Sequence, residues 1–153
     1  MELRKVDVND IELIIKLRMD YFAADNVIMS PEEKATIIAQ LRDYLPKHIA
    51  DGTFIGIVAE EAGEVLGVAF LALAEKPANP AFITGKTGTI LNVLTFPQHR
   101  RQGIATKVIC RIMDEAKRCG VSNLDLSATE SGRPLYEKLG FYESKHTAMR
   151  LRI

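Results

Sequence analysis

The residues from Leu91 to Ala105 join an apolar run, a proline and a basic turn that ends in glycine. Leu91-Asn92-Val93-Leu94-Thr95 is β-prone, Pro97 interrupts it, and His99-Arg100-Arg101-Gln102-Gly103 follows. From Ile104 the pattern is helical. A strand, a basic glycine turn and a helix start, in that order, build an anion site. The first N–H groups of a helix have no partner inside it, and the macrodipole adds partial positive charge there. Gly103 has no Cβ to hold a ligand off the main chain. Arg100 and Arg101 add charges that suit phosphate oxygens. The same residue types also make a plain basic loop before a helix, so the motif is weighed with the rest of the chain.

The elements that would position this turn follow from the pattern around it. Phe54–Ala59 and Val65–Leu73 read as two strands joined through Glu61-Ala62-Gly63-Glu64, a hairpin. Both are almost continuously apolar, which requires cover on both faces. Gly88–Phe96 is the next strand. Ile104, Val108, Ile109, Ile112, Met113 and Ala116 then share one helical face, with Lys107, Arg111, Asp114, Glu115 and Arg118 opposite and Gly120 as the stop. Asn123–Ala128 alternates as a strand. Strand, helix and strand from Leu91 to Ala128 imply a right-handed parallel crossover, with the anion turn at the carboxyl end of its first strand.

Upstream, residues 2–6 suit an edge strand, and Asn9-Asp10-Ile11-Glu12 offers a helix cap. Ile11, Ile14, Ile15, Leu17, Met19 and Phe22 follow with roughly helical spacing. Ser30-Pro31-Glu32-Glu33 predicts a capping box and a second helix, whose stripe is Ile37, Ile38, Leu41 and Leu45 and which Pro46 should end or kink. Glu75–Lys86, with Pro77, Asn79, Pro80 and Gly85, reads as a loop free to move or to face a substrate. Ser131–Leu139 is a short helix stopped by Gly140, and Phe141–Lys145 and Ala148–Ile153 are expected as a last pair of short strands.

Composition narrows the functional class. The 153 residues suit one domain, spanning 1–153, and 47% hydrophobic content is enough for a full core. A formal net charge of zero and few aromatic residues argue against a nucleic-acid binder. Cys110 and Cys119 lie in one predicted helix, about 13 Å apart by rise, too far for a disulfide. No cysteine–histidine cluster has metal-ligand spacing, so no metal is expected. The N-terminus lacks the apolar core of a signal peptide and no run is long enough to span a membrane, so the expected location is the cytoplasm, without membrane attachment.

Arg100-x-x-Gly103-x-Ala105 resembles the acyl-CoA pyrophosphate loop of the GNAT superfamily of N-acetyltransferases. Leu135-Tyr136-Glu137-Lys138-Leu139-Gly140-Phe141 resembles the second signature of that superfamily, a short helix with a Leu-Tyr pair ending in Gly-Phe. Two motifs in the family's order are far more specific than one. The resemblance covers the chain from Gly52 onward. It implies an α/β (α+β) fold: a mixed, mostly antiparallel central sheet with a parallel strand-helix-strand crossover and helices on both faces. It also implies direct transfer of an acetyl group from acetyl-CoA to a primary amine of a small molecule or peptide.

The resemblance places the cofactor contacts at Val93, Leu94 and Thr95, and at Arg100, Arg101, Gln102, Gly103, Ile104, Ala105 and Thr106. Thr129, standing where many members carry asparagine, and Ser131 are further contacts to the cofactor arm. Leu94 would donate its backbone N–H to the thioester oxygen, Asn92 would orient a water, and Tyr136 would serve the departing thiolate. From residue type alone Tyr136 is equally a half-buried aromatic with a satisfied hydroxyl. The strand carries no carboxylate, and Asp25, Glu60, Glu75 and Glu130 are undifferentiated candidates for a base. A non-catalytic acyl-CoA-binding sensor is therefore the alternative reading. Family members are often dimers, which makes a homodimer a further expectation.

Overall fold

The computed structural model describes residues 1–153. Five strands form one sheet in sequence order: β1 (Glu2–Lys5), β2 (Phe54–Glu61), β3 (Glu64–Glu75), β4 (Lys86–Thr95) and β5 (Asn123–Asp125). The first four are antiparallel neighbours, and β5 runs parallel to β4. The expected mixed sheet with one parallel crossover is present. Helices cover both faces, as the apolar strands require. α1 (Ile11–Ala24) and α2 (Pro31–Ala50) lie on one side, where Ile14, Leu17, Leu45, Val58, Val68 and Phe70 form one core cluster. α3 (Ile104–Arg118) lies on the other, where Ile109, Ile112, Ile57, Leu71 and Ile90 form the second. A short helix, α4 (Arg133–Lys138), closes that side through Tyr136. No helix is long and apolar enough to cross a membrane.

Local chemistry sets the helix starts. Ser30 Oγ accepts from the Glu33 amide at 3.1 Å, and Glu33 returns the contact to the Ser30 amide at 2.8 Å, as the capping box predicts. The cap of α1 lies earlier than Asn9–Glu12. Asp7 and Asp10 form the box around a single 3-10 turn, because Arg4 of β1 holds Asp10 in place at 2.7 Å. Glu12 instead receives Arg42, which pins α1 to α2 at 3.0 Å.

Three further expectations change. Pro46 neither ends nor visibly divides α2, which continues to Ala50. A proline inside a helix costs about 3 kcal/mol, and the complete burial of Leu45 against the sheet offsets it. The loop after β3 is tied down rather than free: Thr84 donates Oγ1–H to the Gly120 carbonyl at 2.8 Å, at the end of α3. It sits at the amino end of β4, about 30 Å of strand rise from the anion turn. Finally, residues 141–153 form no strand. Tyr142, Met149, Leu151 and Ile153 stay exposed, and a segment that packs only Phe141 on the core gains little from strand pairing.

Candidate functional site

β4 changes neighbours along its length. Thr87, Gly88 and Thr89 lie opposite Asn123, Leu124 and Asp125 of β5. From Ile90 to Thr95 no strand borders that edge, so the two parallel strands diverge and leave a gap toward the carboxyl end of β4.

A bulge lies at the mouth of this gap. Leu91 pairs with Phe70 and Leu94 with Val68, so Asn92 and Val93 together face Ala69. Asn92 takes φ of 58°, a left-handed value that asparagine tolerates better than most residues. Its side chain is buried, with one partner on each terminal atom. Nδ2 donates to the Leu17 carbonyl of α1 at 3.1 Å, and Oδ1 accepts from Arg18 at 3.4 Å. Asn92 therefore ties sheet to helix and does not present itself to a water, contrary to the sequence expectation.

The bulge also reverses the alternation of main-chain groups. The Leu94 carbonyl points at β3, close to Gly67, and the Phe96 amide donates to Leu66 of β3 at 3.1 Å. In an antiparallel ladder both groups of a residue face one edge and alternate along the strand. The Leu94 amide is thus turned into the β3 ladder, which corrects its expected role as donor to a thioester oxygen. Thr95 faces the other way, and its carbonyl receives Arg100 Nε at 3.2 Å. The main chain of Val93 and Thr95 borders the gap. The Thr95 hydroxyl is buried with no hydrogen-bond partner.

The turn after β4 is the most unusual polar feature of the chain. A 3-10 turn (Pro97–His99) leads into Arg100, and His99 Nε2 meets Glu64 Oε1 of the hairpin at 3.1 Å. Arg101 and Gly103 both take left-handed φ, 63° and 74°. The amides of Arg101, Gln102, Gly103, Ile104, Ala105 and Thr106 make no hydrogen bond, and the first amide satisfied in the helix is that of Lys107, bonded to the Gly103 carbonyl at 3.1 Å. No atom lies within 4 Å of where a Gly103 Cβ would stand, so the front of the turn is open. Six free donors, a helix N-terminus and two exposed arginines form a cationic seat of a kind that could hold a phosphate-bearing anion. Close packing fixes the seat to the sheet: a Cβ on Gly67 of β3 would come within 2.8 Å of Ile104 Cγ2.

Tyr136 enters from α4. Its ring belongs to the core on the α3 side and meets Phe141 edge-on at 6.0 Å. Its hydroxyl forms no hydrogen bond within the chain, yet it is not sealed off. Burial pushes its pKa up, and the nearness of Tyr21 adds to this. Tyr21 itself lies on α1 and packs against the opposite core. Thr129 Oγ1 accepts the Gly132 amide at 3.1 Å and stands 3.3 Å from Ser131 Oγ, which shapes the turn before α4. Both residues are exposed.

Two residues near the gap were not singled out from sequence, Arg18 and Tyr21. Arg18 donates to Asn92 and lies over Phe22, 4.6 Å from the ring centroid. The available signal was an arginine set among Ile14, Tyr21 and Phe22 at helical spacing, a cation on an otherwise apolar stripe.

Comparison with known proteins agrees with this geometry. Residues 13–141 match the model of the Acetyltransferase (GNAT) family. Among curated proteins, none matches the chain. A predicted acetyltransferase from Clostridium acetobutylicum, solved with acetyl-CoA, is similar at 28% identity and a TM-score of 0.88, over 98% of this chain and 95% of that one. A GCN5-related N-acetyltransferase from Ralstonia eutropha JMP134 is similar at 30% identity and a TM-score of 0.81, over 98% and 97%. A ribosomal-protein-alanine N-acetyltransferase from Brucella melitensis biovar Abortus 2308, at 20% identity and a TM-score of 0.70 over the full length of both chains, shares the fold. With the divergent strands, the bulge and the open cationic turn in place, this chain belongs to the GNAT acetyltransferase family.

Proposed function

We propose that this chain is a single-domain, cytosolic N-acetyltransferase that moves the acetyl group of acetyl-CoA directly to a primary amine. The observation that carries the reading is the run of six unbonded amides from Arg101 to Thr106 beside the open edge of β4. In this reading Arg100 to Thr106 hold the diphosphate, and Val93, Leu94, Thr95, Thr129 and Ser131 flank the arm that leads to the acetyl group. Main-chain N–H groups of the bulge at Val93 and of Thr95 polarise the thioester oxygen.

The amine nitrogen attacks the thioester carbon, a C–N bond forms, and the C–S bond breaks. The nitrogen gives up a proton and the thiolate gains one. Tyr136 stabilises that thiolate. A tyrosine near its ordinary pKa gives a proton to a thiolate uphill by about 2 kcal/mol, and burial makes the step steeper. Tyr136 therefore acts as a hydrogen-bond donor, or gives its proton late in bond cleavage, and never stands as a free tyrosinate.

A second reading, a sensor that binds acyl-CoA without turnover, is favoured by one observation: no carboxylate lines the pocket beside the bulge. Calorimetry with acetyl-CoA followed by thiol release against an amine panel separates the two. Binding with release supports the enzyme, and Tyr136→Phe then lowers turnover by about 100-fold with cofactor affinity retained. Binding without release across the panel supports the sensor, and no binding overturns both.

A further inference from the structure

We propose that Arg18 binds an anionic group of the acceptor, so that the amine this chain acetylates is a carboxylate-bearing, largely apolar molecule of amino-acid size. The inference rests on the acetyltransfer reading above. It starts from a pocket of about 180 Å³ between α1, α2 and the sheet. Ile14, Leu41, Tyr44, Phe70 and Leu91 give it apolar walls, and Gln40 adds a polar one. Arg18 is the only charged side chain among the lining residues.

That charge is uncompensated. Its one side-chain hydrogen bond runs to Asn92 Oδ1 at a long 3.4 Å, and it lies over the Phe22 ring. No carboxylate pairs with it, whereas Arg4, Arg42, Arg111, Arg118 and Arg133 all have acidic partners. The ionisable group that acts on it is Tyr21, and burial draws its pKa down from the usual arginine value. A guanidinium partly withdrawn from water and left unpaired is costly. Its planar fork matches a carboxylate, which it can grip with two parallel N–H donors.

The position suits the chemistry. Arg18 touches Asn92, the first residue of the bulge, whose neighbour Val93 borders the gap. Tyr21 lies one turn further along α1 and packs on the core cluster of that side. A carboxylate held at Arg18 leaves an amino group on the adjacent carbon near the bulge and the apolar body in the pocket. Polycationic acceptors such as polyamines meet a like charge there.

The test uses saturating acetyl-CoA and matched probes: leucine with leucinamide, phenylalanine with phenylalaninamide and 2-phenylethylamine, and spermidine. The expected result is at least a tenfold higher kcat/KM for the free acids than for their amides, by thiol release. Arg18→Gln removes that preference and leaves the KM for acetyl-CoA unchanged, and Arg18→Lys retains part of it. Equal rates for acid and amide, a preference for spermidine, or an equal loss on every probe in Arg18→Gln overturns the inference. Should acetyl-CoA bind and neither these probes nor the wider amine panel release thiol, the acetyltransfer reading fails by itself. Calorimetry of the same acids and amides on the CoA-loaded protein then decides Arg18: tighter binding of the acid, lost in Arg18→Gln, supports it, and equal or absent binding overturns it.

Discussion

Asn92 of β4 donates Nδ2–H to the main-chain oxygen of Leu17 on α1 at 3.1 Å, between residues 75 positions apart. The contact makes the bulge and the covering helix one corner. It also sets Arg18, the residue after Leu17, against the mouth of the gap.

Asn92→Ala loses this bond, worth about 1 kcal/mol. It also places alanine at a φ of 58°, at a further cost of about 1 kcal/mol. A loss near 2 kcal/mol in urea unfolding is expected. Asn92→Gly recovers the backbone part, and equal losses in the two variants would show that no strain is held there.

Gly103→Ala separates folding from binding. A Cβ there meets nothing within 4 Å, so only the φ of 74° resists it. The stability cost is about 1 kcal/mol. Affinity for acetyl-CoA should fall by more than tenfold, because the methyl group stands where the diphosphate approaches. Calorimetry beside a thermal melt reads both. Unchanged affinity would place the ligand elsewhere.

Glu115 supplies an acid-side signature. It is 7% exposed, and accepts from Arg118 at 2.7 Å and Arg111 at 3.0 Å, with Lys5 at 3.6 Å. Burial alone would raise its pKa, but Arg111, Lys5 and Arg118 together bring it below the usual value. A depressed folded pKa adds stability above the unfolded value near 4.5 and loses it as pH falls through the folded one. Glu115→Gln should therefore cost about 1 kcal/mol at neutral pH and almost nothing at pH 2. The partners are partly solvated, which keeps the figure small. A variant whose deficit stayed constant from pH 7 to pH 2 would contradict this.

Ala62→Asn should stabilise the chain. Ala62 and Gly63 form the turn between β2 and β3 with φ of 52° and 81°. Two positive φ values mark the mirror-image turn for which Asn-Gly is preferred. A gain of about 0.5–1 kcal/mol is expected from relief of the alanine strain. Chemical unfolding checks it, and a neutral or negative change would mean that the turn relaxes without cost.

The elements legible in the sequence were those whose cause lies within a turn or two of the chain. The Ser30–Glu33 box, the Glu61–Glu64 hairpin turn and the apolar face of α3 each depend on neighbours three or four residues away. The anion turn belongs with them: proline, two arginines and a glycine before a helix leave amides free wherever the strand delivers them. Capping, left-handed turns and amphipathic spacing are local physics.

Contacts across the fold decided the rest. Whether the Leu94 amide faces the gap or β3 depends on a single extra residue in β4 relative to β3, and one residue of slip reverses every main-chain group beyond it. Asn92 became a tie and Arg18 an unpaired cation only because α1 lies over the bulge, some seventy residues away in sequence. Residues 141–153 have strand-like composition, but they pair with no strand and all beyond Phe141 stay exposed, so no buried face holds them to the sheet. Residue types along the chain thus settled where an anion can sit. Register and packing between distant segments settled which groups surround what reacts beside it.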